Sequence, residues 1–61
     1  MPLIDVTLYA DRLDGRTESE LIARLTDAAA AVLGENAREH TWVVLHPVPR
    51  ERWGIAGKAG A

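Results

Sequence analysis

A chain of sixty-one residues without a single cysteine has few ways to hold a folded state. Size scaling gives it roughly 9,700 Å² of surface unfolded and roughly 3,900 Å² as a compact monomer. Taking the apolar share of the difference, about 60%, out of water contributes roughly 90 kcal/mol at about 25 cal/mol per Å². Ordering the residues costs roughly 90 kcal/mol at about 1.5 kcal/mol each, so the monomer balances near zero. Small domains escape this balance with disulfides, a structural metal or association, and the lack of cysteine removes the first and the thiolate form of the second. Association between copies remains.

The net charge of −2 provides no electrostatic footprint for nucleic acid or for an anionic membrane. No apolar run approaches the roughly 20 residues of a membrane span, and no charged segment followed by an apolar one opens the chain. A cytoplasmic protein is expected, with one domain over residues 1–61 and no repeat or linker.

From Leu3 to Tyr9 the residues alternate, with Ile4, Val6 and Leu8 on one face and Leu3, Asp5, Thr7 and Tyr9 on the other, which predicts a strand. Ala10 to Arg16 has no period and holds Asp11, Asp14 and Gly15, so it reads as a loop. Thr17-Glu18-Ser19-Glu20 has the form of a capping box and predicts a helix with Thr17 as its N-cap. Leu21, Leu25, Ala28 and Val32 form its stripe, flanked by Ile22, Ala29 and Leu33, and Gly34 is placed to stop it. The alanines at positions 28–31 suit close approach to a sheet or reflect helix propensity alone. Thr41 to His46 predicts a second strand ending at Pro47, and the glycine-rich tail from Val48 allows a short hairpin.

Strand, helix and strand at this length make a β-α-β unit with parallel strands, an α/β fold. One helix covers one sheet face. The other face carries Leu3 and Tyr9 with either Trp42 and Val44 or Val43 and Leu45, and packing between copies would keep it dry.

The residues offer little metal or nucleophile chemistry. His40 and His46, the two histidines, lie about 20 Å apart along a strand and cannot share an ion within one chain. Asp11 and Asp14 have no oxygen-ligand spacing and read as turn formers, while Ser19 is accounted for by the capping box. Gly54 to Gly57 is too short for a phosphate loop, and Arg50 and Arg52 flank Glu51 in a solvated stretch. Trp53, beside glycine in a turn, either seals a subunit contact or lines a pocket. Pro2 has another character. If the initiator Met1 is removed, its secondary amine stands at the head of a strand, where an apolar pocket and a nearby arginine would lower its pKa. A base poised near neutrality suits proton transfer at carbon.

Met1-Pro2-Leu3-Ile4 opening a strand, a capped helix after a Gly-Arg loop, a Val43-Val44-Leu45 strand, and Val48-Pro49-Arg50-Glu51-Arg52-Trp53-Gly54-Ile55-Ala56-Gly57 at the close resemble the 4-oxalocrotonate tautomerase family over essentially the whole length. The resemblance implies the β-α-β unit with a C-terminal hairpin, and a homo-oligomer, most often a hexamer of three dimers. It implies no cofactor and no metal, and a small enol or 2-oxo acid as substrate. Pro2 would shuttle the proton as base and then acid, Trp53 of an adjacent subunit would wall the pocket, and an arginine after the first strand would bind the substrate carboxylate. Counting from Pro2 makes that residue Arg12; the Gly-Arg context makes it Arg16.

Two departures stand out. Trp42 occupies the second-strand position where the best-known members carry an arginine that polarises the keto oxygen, which argues against the usual dicarboxylate substrate; Arg50, Arg52 or His46 could supply another cation. Ala56-Gly57 replaces the family's glycine pair. The expected activity is a cofactor-independent keto-enol tautomerase. The alternatives are a hydratase, dehalogenase or decarboxylase on the same fold that uses a protonated prolyl nitrogen, and a non-catalytic oligomeric binding subunit.

Overall fold

The computed structural model describes residues 1–60. Strand β1 (Leu3–Tyr9) leads through a short 3₁₀ turn at Ala10–Arg12 into helix α1 (Gly15–Leu33). A second 3₁₀ segment, Glu35–His40, returns the chain to β2 (Trp42–Val48), and a third, Arg50–Arg52, precedes a hairpin of β3 (Gly54–Ile55) and β4 (Lys58–Ala59). β1 and β2 pair in parallel from Leu3 opposite Trp42 to Tyr9 opposite Val48, and β3 and β4 pair antiparallel. This is the expected α/β unit with its C-terminal hairpin.

The helix begins earlier than the capping box predicts. Asp14 is the N-cap, and its carboxylate accepts the Thr17 backbone N–H at 2.8 Å; Thr17 therefore lies in the first turn. Ser19 donates to the Gly15 carbonyl, and Glu20 pairs with Arg24 four residues on instead of reaching back to a cap. An aspartate three residues upstream does the same work as a threonine cap with a full charge at the positive end of the helix dipole.

The helix stripe also turns away from its predicted line. Leu21, Leu25, Ala29 and Ala30 face inward, whereas Ala28 is exposed and Val32 is 84% exposed. At 100° per residue the predicted stripe keeps to a band about 60° wide, and the covered face is centred further round the helix, where Ala29 and Ala30 lie. β2 runs through Pro47 to Val48, past the predicted stop, because one strand of a two-stranded sheet has an open edge on which a missing N–H costs nothing.

The register settles the sheet faces. Ile4, Val6 and Leu8 are half-buried with Val43 and Leu45, while Trp42 and Val44 share the opposite face with Leu3. That second face is open: Leu3 is 56% exposed and Trp42 57%. Ala30 is the one buried residue among those described. The protomer measures 43 × 24 × 13 Å with a radius of gyration of 14.2 Å, against about 10.5 Å for a compact chain of this length.

The β3–β4 turn places two residues in the left-handed region, Ala56 at φ 53° and Gly57 at φ 81°. A two-residue loop with both central φ positive favours glycine or asparagine at the first position, and alanine there stores strain. Ala56→Gly is expected to raise unfolding stability by up to about 1 kcal/mol, the relief of strain exceeding the added chain entropy; denaturant titration measures it.

The Thr17 N–H holds the Asp14 carboxyl below its ordinary value of 3.8. A depressed folded-state pKa contributes stability that is present above the ordinary value and is lost as pH falls through the lower one. Asp14→Ala should therefore lower the melting temperature by about 5 °C at neutral pH. The gap from the parent should close below about pH 4, as a melting series across pH would show.

Candidate active site

Two ends of one sheet carry the candidate residues. At the start of β1, the Pro2 carbonyl accepts the Trp42 N–H at 2.9 Å, so Pro2 is pinned beside the first residue of β2. Pro2 is half-buried and Met1 is 79% exposed. The indole of Trp42 stands on the open sheet face across from Leu3. In the encoded chain the Pro2 nitrogen is a tertiary amide, and only removal of Met1 turns it into an amine.

At the far end of β1 a groove of about 560 Å³ opens beside the N-terminus of α1. Leu8, Leu13 and Leu21 give it apolar walls, and both candidate carboxylate anchors, Arg12 and Arg16, line it. Arg12 closes the 3₁₀ turn and Arg16 sits in the first helical turn, so two residues four apart arrive at one place from different elements. Among the described residues, neither makes an ion pair. Arg24, also on the groove, is tied to Glu20 at 3.1 Å.

Trp53 belongs to a second group at the same end. Its ring packs on Tyr9 with centroids 4.6 Å apart and planes tilted by 49°. Arg50 lies over the other partner of that pair, its Cζ 4.1 Å from the Tyr9 ring centre, and its Nε–H donates to Asp11 at 2.7 Å. The hydrogen bond and charge of Asp11 raise the Arg50 pKa, so the guanidinium stays charged. Alternation along β1 sends Tyr9 to the side opposite Leu8, so this stack and the arginine groove flank the end of the strand.

Asp11 is thus a charge partner and Asp14 a cap, where spacing suggested turn formers, and Arg50 is not simply solvated. Tyr9 and Asp11 were missed as site residues because their partner lies 39 residues beyond Asp11, outside any local pattern. Two other charged clusters lie elsewhere: His46 Nε2 sits 3.1 Å from Asp5 across the strands, and Arg38 bridges Asp27 and Glu35. No group of three or more potential metal ligands occurs among the described residues.

One chain therefore unites Arg12 with Arg16, and Trp53 with Tyr9 and Arg50. It does not bring Pro2 or Trp42 to them, since seven strand steps separate Pro2 from Tyr9 by about 23 Å.

The sequence matches the family model described as tautomerase enzyme over residues 2–60. A curated relative from Ralstonia nicotianae, named a probable tautomerase, is 47% identical over 60 residues, covering 93% of this chain and 79% of its own length. The crystal structure of TomN, a 4-oxalocrotonate tautomerase homologue in the tomaymycin biosynthetic pathway, superposes with a TM-score of 0.85 at 34% identity, covering 97% of this chain and 88% of that one. A second 4-oxalocrotonate tautomerase homologue gives a TM-score of 0.84 at 33% identity, with 98% and 92% covered. Sequence and fold agree over nearly the full length, and the chain belongs to the tautomerase family.

Proposed function

We propose that this chain, a single tautomerase-like domain over residues 1–61, is a cofactor-independent tautomerase that interconverts enol and keto forms of a 2-hydroxydienoate or related 2-oxo acid. The observation that carries the reading is the setting of Pro2. Its carbonyl is pinned by Trp42, its ring is half-buried at the head of a strand, and Met1 before it extends into solvent. Removal of Met1 would leave a secondary amine fixed in place, with apolar Leu3 and Trp42 nearby to disfavour its charged form. The neutral amine takes the enol proton, and the ammonium so formed returns a proton to carbon.

Arg12 or Arg16 anchors the substrate carboxylate at the groove, and Trp53 supplies an apolar wall. These groups lie beyond the far end of β1, whose seven steps put Tyr9 about 23 Å from Pro2 of the same chain, so on this reading the site is completed by a second copy. The surface agrees with this: the protomer exposes 4615 Å², roughly 700 Å² more than a compact chain of its mass, close to one partner's share of a standard interface. A homo-oligomer, arranged as a hexamer of three dimers, satisfies both requirements.

Pro2→Ala is expected to lower the ketonisation rate of phenylenolpyruvate or 2-hydroxymuconate by at least about 100-fold, the contribution of a positioned acid–base group. An unchanged rate would reject the mechanism. Intact mass of the natively produced protein reports the loss of Met1 on which it depends.

Of the two anchor candidates, the true one raises KM by about 10- to 100-fold when changed to alanine, the worth of a charge-assisted hydrogen bond. Steady-state kinetics of Arg12→Ala and Arg16→Ala identifies it, and a KM unmoved in both would leave the carboxylate without its anchor.

A further inference from the structure

The groove beside the start of α1 carries more positive charge than its own carboxylates neutralise. Arg12, Arg16 and Arg24 line it against Asp14 and Glu20. Both acids are committed: Asp14 accepts the Thr17 N–H at 2.8 Å as the helix cap, and Glu20 pairs with Arg24 at 3.1 Å. Arg12 and Arg16 are left over the half-buried Leu8, Leu13 and Leu21, and among the described residues no carboxylate pairs with either. Two like charges in one groove disfavour each other and gain from an anion that meets both. The apolar walls ask that this anion have an apolar body, and the volume of about 560 Å³ suits a small organic molecule. The helix terminus itself is not the binding element, because Asp14 already caps it.

We infer, on the tautomerase reading of the reaction, that Arg12 and Arg16 work as a pair: one holds the carboxylate of a 2-oxo acid and the other meets its 2-oxygen, with the apolar body against the three leucines. These two oxygen groups stand on adjacent carbons, so one groove must supply donors to both. A planar guanidinium fork takes the carboxylate and leaves the 2-oxygen to the second cation. Arg12 arrives from the 3₁₀ turn and Arg16 from the first turn of α1, so each approaches the ligand from its own element. Their contributions to the reaction differ. The carboxylate keeps its charge throughout, and holding it is uniform binding. The 2-oxygen gains negative charge as the enol proton leaves, so a cation there acts on the transition state.

The test separates the two arginines by kinetics and by a pair of ligands. Both side chains are exposed and unpaired, so alanine at either position should leave the melting temperature unchanged. Of Arg12→Ala and Arg16→Ala, one should act mainly on KM, and the other should lower kcat for phenylenolpyruvate by about 100-fold, the effect of removing one oxyanion donor. In calorimetry the first should weaken phenylpyruvate and 3-phenylpropanoate alike, by about 10-fold. The second should weaken phenylpyruvate by about 10-fold and change 3-phenylpropanoate, which has the carboxylate but no 2-oxygen, by less than about twofold. Lysine at that second position should recover part of kcat, since it restores the charge without the fork. A variant silent in both assays would leave a single anchor, and equal weakening of both ligands by both variants would mean that the two arginines share the carboxylate; each overturns the inference. A parent protein without tautomerase activity would overturn the reaction instead, and the ligand pair would still read the groove.

Discussion

Two parallel strands and one helix give a sheet with a single covered face, and nearly every property of this protein follows from that shortage of cover. A second helix would bury the other face, but the described residues after β2 form a 3₁₀ turn and a short hairpin instead. The outcome is a thin, elongated protomer in which Ala30 is the one buried residue described. The apolar residues that a larger domain would place inside, Leu3, Trp42 and Val44, stand on the open side. Asp5 and His46 meet in the middle of that surface, and their pairing lets an ionisable residue from each strand sit on an apolar face without an isolated charge.

Parallel pairing also determines which residues can meet. Both strands begin at one edge and finish at the other, so Pro2 adjoins Trp42 while everything that follows β1 gathers with everything that follows β2. Asp11, just after the first strand, therefore reaches Arg50, just after the second, and Tyr9 reaches Trp53. The crossover helix starts at that same edge and adds Arg16 to Arg12. Ligand-binding groups collecting beyond the carboxyl ends of parallel strands is a general consequence of this topology. On the proposed reading it has a cost: Pro2 lies at the opposite end of β1 from these groups.

What could be read from residues alone tracks the range of the interaction. β1 has the predicted bounds because strict alternation from Leu3 to Tyr9 is a local signal, and Gly34 ends the helix as expected because a positive φ there selects glycine. The helix start was misplaced because Asp14 and Thr17 are both good caps, and choosing between them depends on the turn at Ala10–Arg12. The 3₁₀ segment at Glu35–His40 went unseen, since its bracing by Arg38 against Asp27 comes from another element. Counting and context point to different arginines, and the fold brings both to one groove. The Asp11–Arg50–Tyr9 arrangement had no signature, because spacing says nothing about loops joined through a sheet edge.

These separations bear on how so small a chain could support catalysis. Ordering flexible side chains at the moment of binding is costly, and a protomer near zero net stability has little to spare for it. The groups gathered at the carboxyl edge are already ordered by contacts within their own chain: Arg50 by a ring and a carboxylate, Trp53 by Tyr9. Pro2 is likewise set by the Trp42 hydrogen bond. On the proposed reading, association then has only to juxtapose two preformed half-sites as rigid bodies, and the surface that must be buried for stability is the one whose burial brings them together. On that same reading, the lack of a core and the division of the proposed site are two results of one constraint, and a chain that covered its own sheet would remove the reason for the proposed assembly.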